Sequence, residues 1–531
     1  MGSLEKIKNT RRRAIFDGAF TLAVATVVTK ILGLLYKMPL SRIIGDEGMG
    51  YFNSAYTVYT FFYILCSAGV PKALAIVISE NDTAENPCNE RRIVRSALIS
   101  FFALGFFLTS VFIIFSDALC RIIGNSEAVY TMLTVAPSVL FVSVAGVAKG
   151  HLNGNSRLLP IAVSQLIEGG AKFFLGMGFA LWGVRLSFSL PLLSAFTVLG
   201  ITLGSAASAI YLLICSKKIS SEKSYNSTYS FKTNRKFLKK ILRIAAPLTL
   251  GAAVMSLSNM IDLAMIMQRL GAAGYTEAEA SAVYGNYTTL AVPMFNLVIS
   301  LVSPFFIAAV PILARASAKG DNLEFEEELN FTLKKTFFIC VPSVLAFLFY
   351  SEEILALIFK RDAAILGAPL LALLAPALVF LSAQTLVNTA LEARGFYRAP
   401  IISMLIGCIP KILISYFLIP NPRFGISAAP IGTLVSCAVG FFISLLILYK
   451  SSDVHVCFFR EFLRYGLAGA LAILITQTLM HGIKIENTAV ETLISLTAFS
   501  LLYLLFVAIL LFIRQKERKS LSICTKKESI N

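Results

Sequence analysis

The chain has 531 residues, 57% of them hydrophobic and 15% charged, with a mean hydropathy of +0.77. A soluble domain of that composition would lack the polar groups to cover its surface, so most of the chain must be solvated by lipid. The net charge of +17 does not point to nucleic acid, because the basic residues collect in short segments between apolar runs; the nine cysteines, without a Cys-x-x-Cys pair, imply neither a disulfide framework nor a metal site.

A helix needs about 20 apolar residues to cross the hydrocarbon, and on that criterion the chain divides into about 14 spans. The first, 19–38, follows the basic leader Lys6, Lys8, Arg11, Arg12 and Arg13, as a signal peptide would. It is longer than a signal core and contains Lys30, so it reads as a retained span. Lys30 lies too deep to snorkel easily and is the first candidate ligand for an anionic substrate. The second span, 51–79, contains Gly69-Val70-Pro71-Lys72, where Lys72 either faces a cavity or reaches the interface. Spans at 94–115 and 129–149 follow, the latter with the segment Ala136-Pro137-Ser138-Val139-Leu140-Phe141-Val142-Ser143. The fifth, 160–182, holds Glu168 and Lys172 one helical turn apart, able either to neutralise each other or to face a cavity. The sixth is 191–215.

A basic segment, 216–243, comes next, with Lys217, Lys218, Lys223, Lys232, Arg235, Lys236, Lys239, Lys240 and Arg243. It reads as a topogenic linker or as a contact for anionic membrane lipids. The seventh span, 242–268, carries Asn259 and Asp262; the latter could pair with a lysine or bind a proton or sodium ion. After the eighth, 285–314, an acidic stretch of Asp321, Glu324, Glu326, Glu327 and Glu328 reads as a solvated helix face. Spans at 332–350, 366–390, 400–420 and 426–449 follow, and Lys411 stands in the eleventh. The last two, 462–481 and 490–513, include Gly466, Ala468, Gly469 and Ala470, small residues that suit close helix packing or a groove for an acyl or prenyl chain. Pro71, Pro137, Pro293, Pro304, Pro311, Pro376 and Pro410 punctuate the spans as kinks or hinges.

Ala136–Ser143 recurs as Ala375-Pro376-Ala377-Leu378-Val379-Phe380-Leu381-Ser382, and at the same offset Lys172 falls on Lys411. The expected architecture is therefore an all-α polytopic bundle of two six-helix lobes, related by a pseudo-two-fold axis along the membrane normal, plus two further helices. Its divisions are 1–215 (N-lobe), 216–243 (linker), 244–450 (C-lobe) and 451–531 (the last two spans and a basic tail). The great majority of the 47 Lys and Arg residues fall on one side if both termini are cytoplasmic, which sets the expected topology.

No group suited to an enzyme reaction stands out: there is no Gly-Lys dipeptide of a P-loop, no Asp-x-Asp, and the three histidines, His151, His455 and His481, lie at or near span ends. The outer loops are short, which argues against a membrane glycosyltransferase or polymerase. Lys30, Lys72, Lys172 and Lys411 against Glu168 and Asp262 leave a cationic interior, which suits a diphosphate and opposes an exporter of small cations.

Thr29-Lys30-Ile31-Leu32-Gly33, the run Ser41-Arg42-Ile43-Ile44-Gly45-Asp46-Glu47-Gly48-Met49-Gly50-Tyr51, and Gly69-Val70-Pro71-Lys72-Ala73 resemble the opening of the stage V sporulation protein B group, which is similar to MurJ-type lipid II flippases of the MOP exporter superfamily. The resemblance implies a V-shaped, MATE-like bundle that exports an undecaprenyl-diphosphate-linked saccharide across the bacterial cytoplasmic membrane by alternating access, the last two helices holding the lipid tail. It places Lys30 where such members carry a substrate-binding Arg, and Asp262 at an acidic position associated with sodium in some members. Where those relatives place a second Arg later in the first helix this chain has Tyr36 next to Lys37, and near Tyr287 and Leu290 it lacks the charged pair they show in the eighth. Lys411, near the place of a sodium site, would set a tethered ammonium in the ion's stead. The expectation is thus a monomeric transporter without cofactor, driven by membrane potential, H+ or Na+. Lipid II or another polysaccharide repeat unit is the expected cargo.

Overall fold

Backbone groups in a lipid core must find their hydrogen bonds within the protein, and a chain this apolar meets that demand with helices. A computed structural model describes residues 2–82, 87–222, 231–359, 361–451, 454–481 and 488–528, and among them there is no strand. In chain order the helices are α1 (Gly2–Ser67), α2 (Val70–Asp82), α3 (Pro87–Ile123), α4 (Val129–Val135), α5 (Pro137–Gly154), α6 (Leu159–Arg185), α7 (Leu190–Glu222), α8 (Phe231–Ala272) and α9 (Glu277–Asn286). A π-turn at Tyr287–Ala291 leads into α10 (Val292–Lys319), α11 (Asn322–Phe349), α12 (Ser351–Ile358), α13 (Arg361–Leu374), α14 (Ala377–Ala393), α15 (Ala399–Leu418), α16 (Ala428–Ser451), α17 (Phe458–His481) and α18 (Thr488–Glu528).

Among the described residues, 11 helices are long and apolar enough to cross a membrane, or 12 if α13 and α14, bent by 44°, form one span. The sequence predicts about 14 on the length rule, and the difference has two causes. The first two predicted spans join into one segment, Val24–Ser79, whose break is local: Gly45 leaves the helical region at φ 67° and ψ −175°. The fifth, α6, is 27 residues long but carries Gln165, Glu168 and Lys172, and it packs closely on α7 and α1. A helix face packed on protein does not need to be apolar, and Gln165, Glu168 and Lys172 are half-buried while Phe174 and Trp182 on the same helix are exposed.

The Ala-Pro segments interrupt helices at both copies of the repeat. Ala136 separates α4 from α5, which opens on Pro137, and Ala375 and Pro376 separate α13 from α14. Pro137 and Pro293 lie in first turns, where a missing N–H leaves no bond unmade, while Pro304, Pro311 and Pro410 lie inside helices. Of the basic segment, 216–222 extends α7 and 231–243 opens α8; 223–230 lies outside the described residues.

The chain forms two compact units, residues 1–289 with 412–429, and residues 290–411 with 430–531. In the first, α1 and α9 approach so closely that a Cβ on Gly50 would stand 2.0 Å from the Ser281 carbonyl oxygen. Val70, Leu74, Ile78, Phe101, Val147 and Ile241 form an apolar core where α2, α3, α5 and α8 meet. In the second, the Phe458 ring lies 5.3 Å from Phe337 and 4.6 Å from Phe441, joining α17 to α11 and α16. Ala468 and Gly469 are buried, with Gly469 against Leu345 of α11, whereas Gly466 borders open space and Ala470 is exposed. The small-residue surface of α17 is thus half packing face, half open.

The acidic stretch does more than face solvent. Asp321 caps α11 through the Glu324 N–H, and the Glu326 carboxylate accepts from the His455 N–H at 2.8 Å. Asn330 donates to the His455 carbonyl and accepts from the Cys457 N–H, so this helix face fixes the segment that enters α17.

Candidate substrate site

The second half of α1 places aromatic rings at positions 52, 56, 59 and 63, a spacing that keeps them on one helix face. With Tyr36 from the first half they form a continuous ladder: Tyr36–Phe52 at 6.1 Å, Phe52–Tyr56 at 6.1 Å, Tyr56–Tyr59 at 5.9 Å and Tyr59–Tyr63 at 5.8 Å between centroids. Tyr36 is fully buried and donates to the Thr197 carbonyl of α7, which anchors the ladder to the unit's core.

Lys172, on α6, extends over this ladder. Its ammonium stands 4.5 Å from the Tyr56 centroid, 5.8 Å from Tyr36 and 5.9 Å from Phe52. Glu168, one turn earlier, lies within electrostatic reach of Tyr59 and Tyr63. The ring faces hold the cation by their quadrupoles while Tyr56, 37% exposed, leaves one side open.

Lys37 is a second cation in the same place, and the reading of the sequence set it outside the candidate ligands, at the end of the first span. Its ammonium donates to the Asn53 side-chain oxygen and to the Thr288 carbonyl, both at 3.0 Å, and the Asn53 amide donates in turn to Thr289 at 2.9 Å. Thr288 belongs to the π-turn, whose altered bonding leaves a carbonyl available to a side chain. One signal for Lys37 was in the sequence: it lies seven residues, two helical turns, after Lys30.

The other candidates are spread more widely. Lys30 on α1 and Lys72 in the first turn of α2 are exposed within the first unit. Asn259 is exposed on α8, and Asp262, half-buried one turn later, lies within electrostatic reach of Tyr284 on α9. Lys411, on α15, belongs to the second unit, within electrostatic reach of the Cys437 thiol on α16. Among the described residues no group of three or more His, Cys, Asp or Glu side chains could hold a metal ion.

Long apolar helices, with a polar, aromatic-lined surface in the first unit, define the class: a multi-span membrane protein. The chain belongs to the polysaccharide biosynthesis protein family, whose model matches residues 15–317. Stage V sporulation protein B of Bacillus subtilis (strain 168) is 22% identical over 426 residues, covering 79% of this chain and 80% of its own length. The lipid II flippase MurJ of the same organism is 20% identical over 450 residues, covering 81% of each. In fold the chain is similar to a solved structure of the lipid II flippase MurJ in an inward closed conformation, with a TM-score of 0.68 and 18% identity over 93% of this chain and 99% of that one.

Proposed function

We propose that this protein moves a lipid-linked, diphosphate-bearing saccharide, of the lipid II kind, from the inner to the outer leaflet of the bacterial cytoplasmic membrane by alternating access. Both termini are cytoplasmic in this reading, and no covalent chemistry is involved. The observation that carries it is the pair Lys172 and Lys37 beside the aromatic ladder of the first unit. A diphosphate meets ammonium groups there in a low-dielectric setting, where charge attraction is strongest, while ring faces suit the apolar sides of sugar rings. Lys30, Lys72 and Lys411 act as further cations along the path, and Asp262 with Asn259 couples the movement to an ion or proton. Family membership and the flippase names among the relatives support this reading.

The decisive measurement is translocation of purified lipid II in vesicles containing the protein, read by its accessibility to an externally added enzyme. Lys172→Gln is expected to slow translocation at least about tenfold, the equivalent of one lost charge-assisted contact. Wild-type vesicles that leave lipid II on the leaflet of origin, with another undecaprenyl-diphosphate saccharide moved instead, would reassign the cargo. Failure to move either would refute the reading.

A further inference from the structure

The second unit carries a half-open cavity of about 620 Å³ at the end of α11, lined from α12, α13, α17 and α18. Its lining belongs to the second unit alone, and Glu352, Glu353 and Glu491 face it together with Arg361, His481 and Tyr350. Among the described residues no three such groups converge to the distance a small metal ion needs. A larger ligand with both an ammonium for the carboxylates and an anionic oxygen for the guanidinium satisfies the whole set.

Tyr350 supplies an independent indication of a ligand. Its side chain is 8% exposed, yet its hydroxyl has no hydrogen-bond partner among the described residues. A buried hydroxyl without a partner is costly, and cavity walls are where a bound group could relieve it. Burial, with Glu353 beside it, raises the phenol above its ordinary range, so the hydroxyl remains a donor.

The surroundings indicate that this ligand is a lipid. The cavity sits at the ends of two membrane-crossing helices, where α17 finishes at His481 and α18 begins at Thr488, the height at which headgroups stand. Leu474 and Leu479 on α17 and Leu493 and Leu501 on α18 are exposed along the helices that leave it, a surface for acyl chains. We propose that this cavity binds the headgroup of a zwitterionic phospholipid bearing a primary amine, its ammonium against Glu353 and Glu491 and its phosphate against Arg361 and the Tyr350 hydroxyl. Three hydrogen-bond donors on the ammonium distinguish it from a trimethylated headgroup.

The test uses the full-length protein in detergent, with phosphatidylethanolamine, phosphatidylcholine and phosphatidylglycerol of identical acyl chains as probes. Lipid retention is read by native mass spectrometry and thermal stability by unfolding midpoint. Phosphatidylethanolamine is expected to bind about tenfold more tightly than either of the others, and Glu353→Gln with Glu491→Gln to abolish that preference. Tyr350→Phe should weaken phosphatidylethanolamine binding without lowering the midpoint of the lipid-free protein, an outcome open to test even if the double variant does not fold. Equal retention of the three lipids, or Tyr350→Phe binding as the wild type does, would overturn the proposal. Full competition by soluble phosphoethanolamine at equal concentration would overturn the assignment to a lipid.

Discussion

Lys37 ties three parts of the first unit together with two hydrogen bonds from one ammonium. Neutral interhelical hydrogen bonds within membranes contribute about 0.6 kcal/mol on average, whereas bonds to a charged group contribute about 1.5–3 kcal/mol. Lys37→Met is therefore expected to lower stability by about 2 kcal/mol, visible as a fall in the unfolding midpoint in detergent. Lys172 differs, since its contacts are ring faces worth about 0.5–2 kcal/mol. Lys172→Met should shift the midpoint little while impairing lipid II translocation strongly. A midpoint loss as large as that of Lys37→Met, with translocation unimpaired, would mark Lys172 as structural. The buried His151 network belongs to the Lys37 kind: Nε2 lies 2.9 Å from Glu90 Oε1, Nδ1 lies 2.6 Å from Ser216, and Asn155 donates to the same carboxylate oxygen. Glu90→Ala leaves His151 and Asn155 without that partner and should cost about 1–3 kcal/mol in chemical unfolding.

Helix geometry governs two further outcomes on α1. Gly45 occupies a backbone region that is essentially restricted to glycine, but a Cβ there meets no neighbouring atom. Gly45→Ala should thus cost only the conformational term, about 1–3 kcal/mol. At Gly50 the backbone is ordinary helix and the obstacle is the Ser281 carbonyl, so Gly50→Ala must push α1 and α9 apart. That variant is expected to express poorly or unfold at a clearly lower temperature than Gly45→Ala; the opposite order would refute the close approach. The break in α1 and the breaks at Ala136 and Ala375 turn long apolar sequence into paired helices without exposing much unbonded backbone to lipid.

For the molecule as a whole, the basic segments fix an expected orientation. In a cysteine-free background, a single cysteine at Lys319 should react with a membrane-impermeant maleimide only after the cells are opened. One at Arg423 should react in intact cells. Reversal of the two would invert the topology and with it the direction of transport proposed above. The helical class and most spans were legible because lipid imposes one rule, a long apolar run, on every crossing helix. The family was legible too, through the motifs around Lys30 and Lys72. Span 5 shows where the rule weakens, because α6 keeps Glu168 and Lys172 half-buried, the latter against the rings of α1, and leaves Phe174 and Trp182 exposed.

Sequence by itself determined the solvent of this protein, its helices, the repeated Ala-Pro interruption and the excess of lysine within spans, since each follows from local composition and periodicity. Only the tertiary structure decided the partners. Lys172 meets Tyr56 across helices distant in the chain, Lys37 finds a carbonyl freed by a π-turn some 250 positions later, and Tyr350 is buried among groups from four helices. Such encounters depend on which helix faces come together, and spacing along one helix specifies a face but not what packs against it.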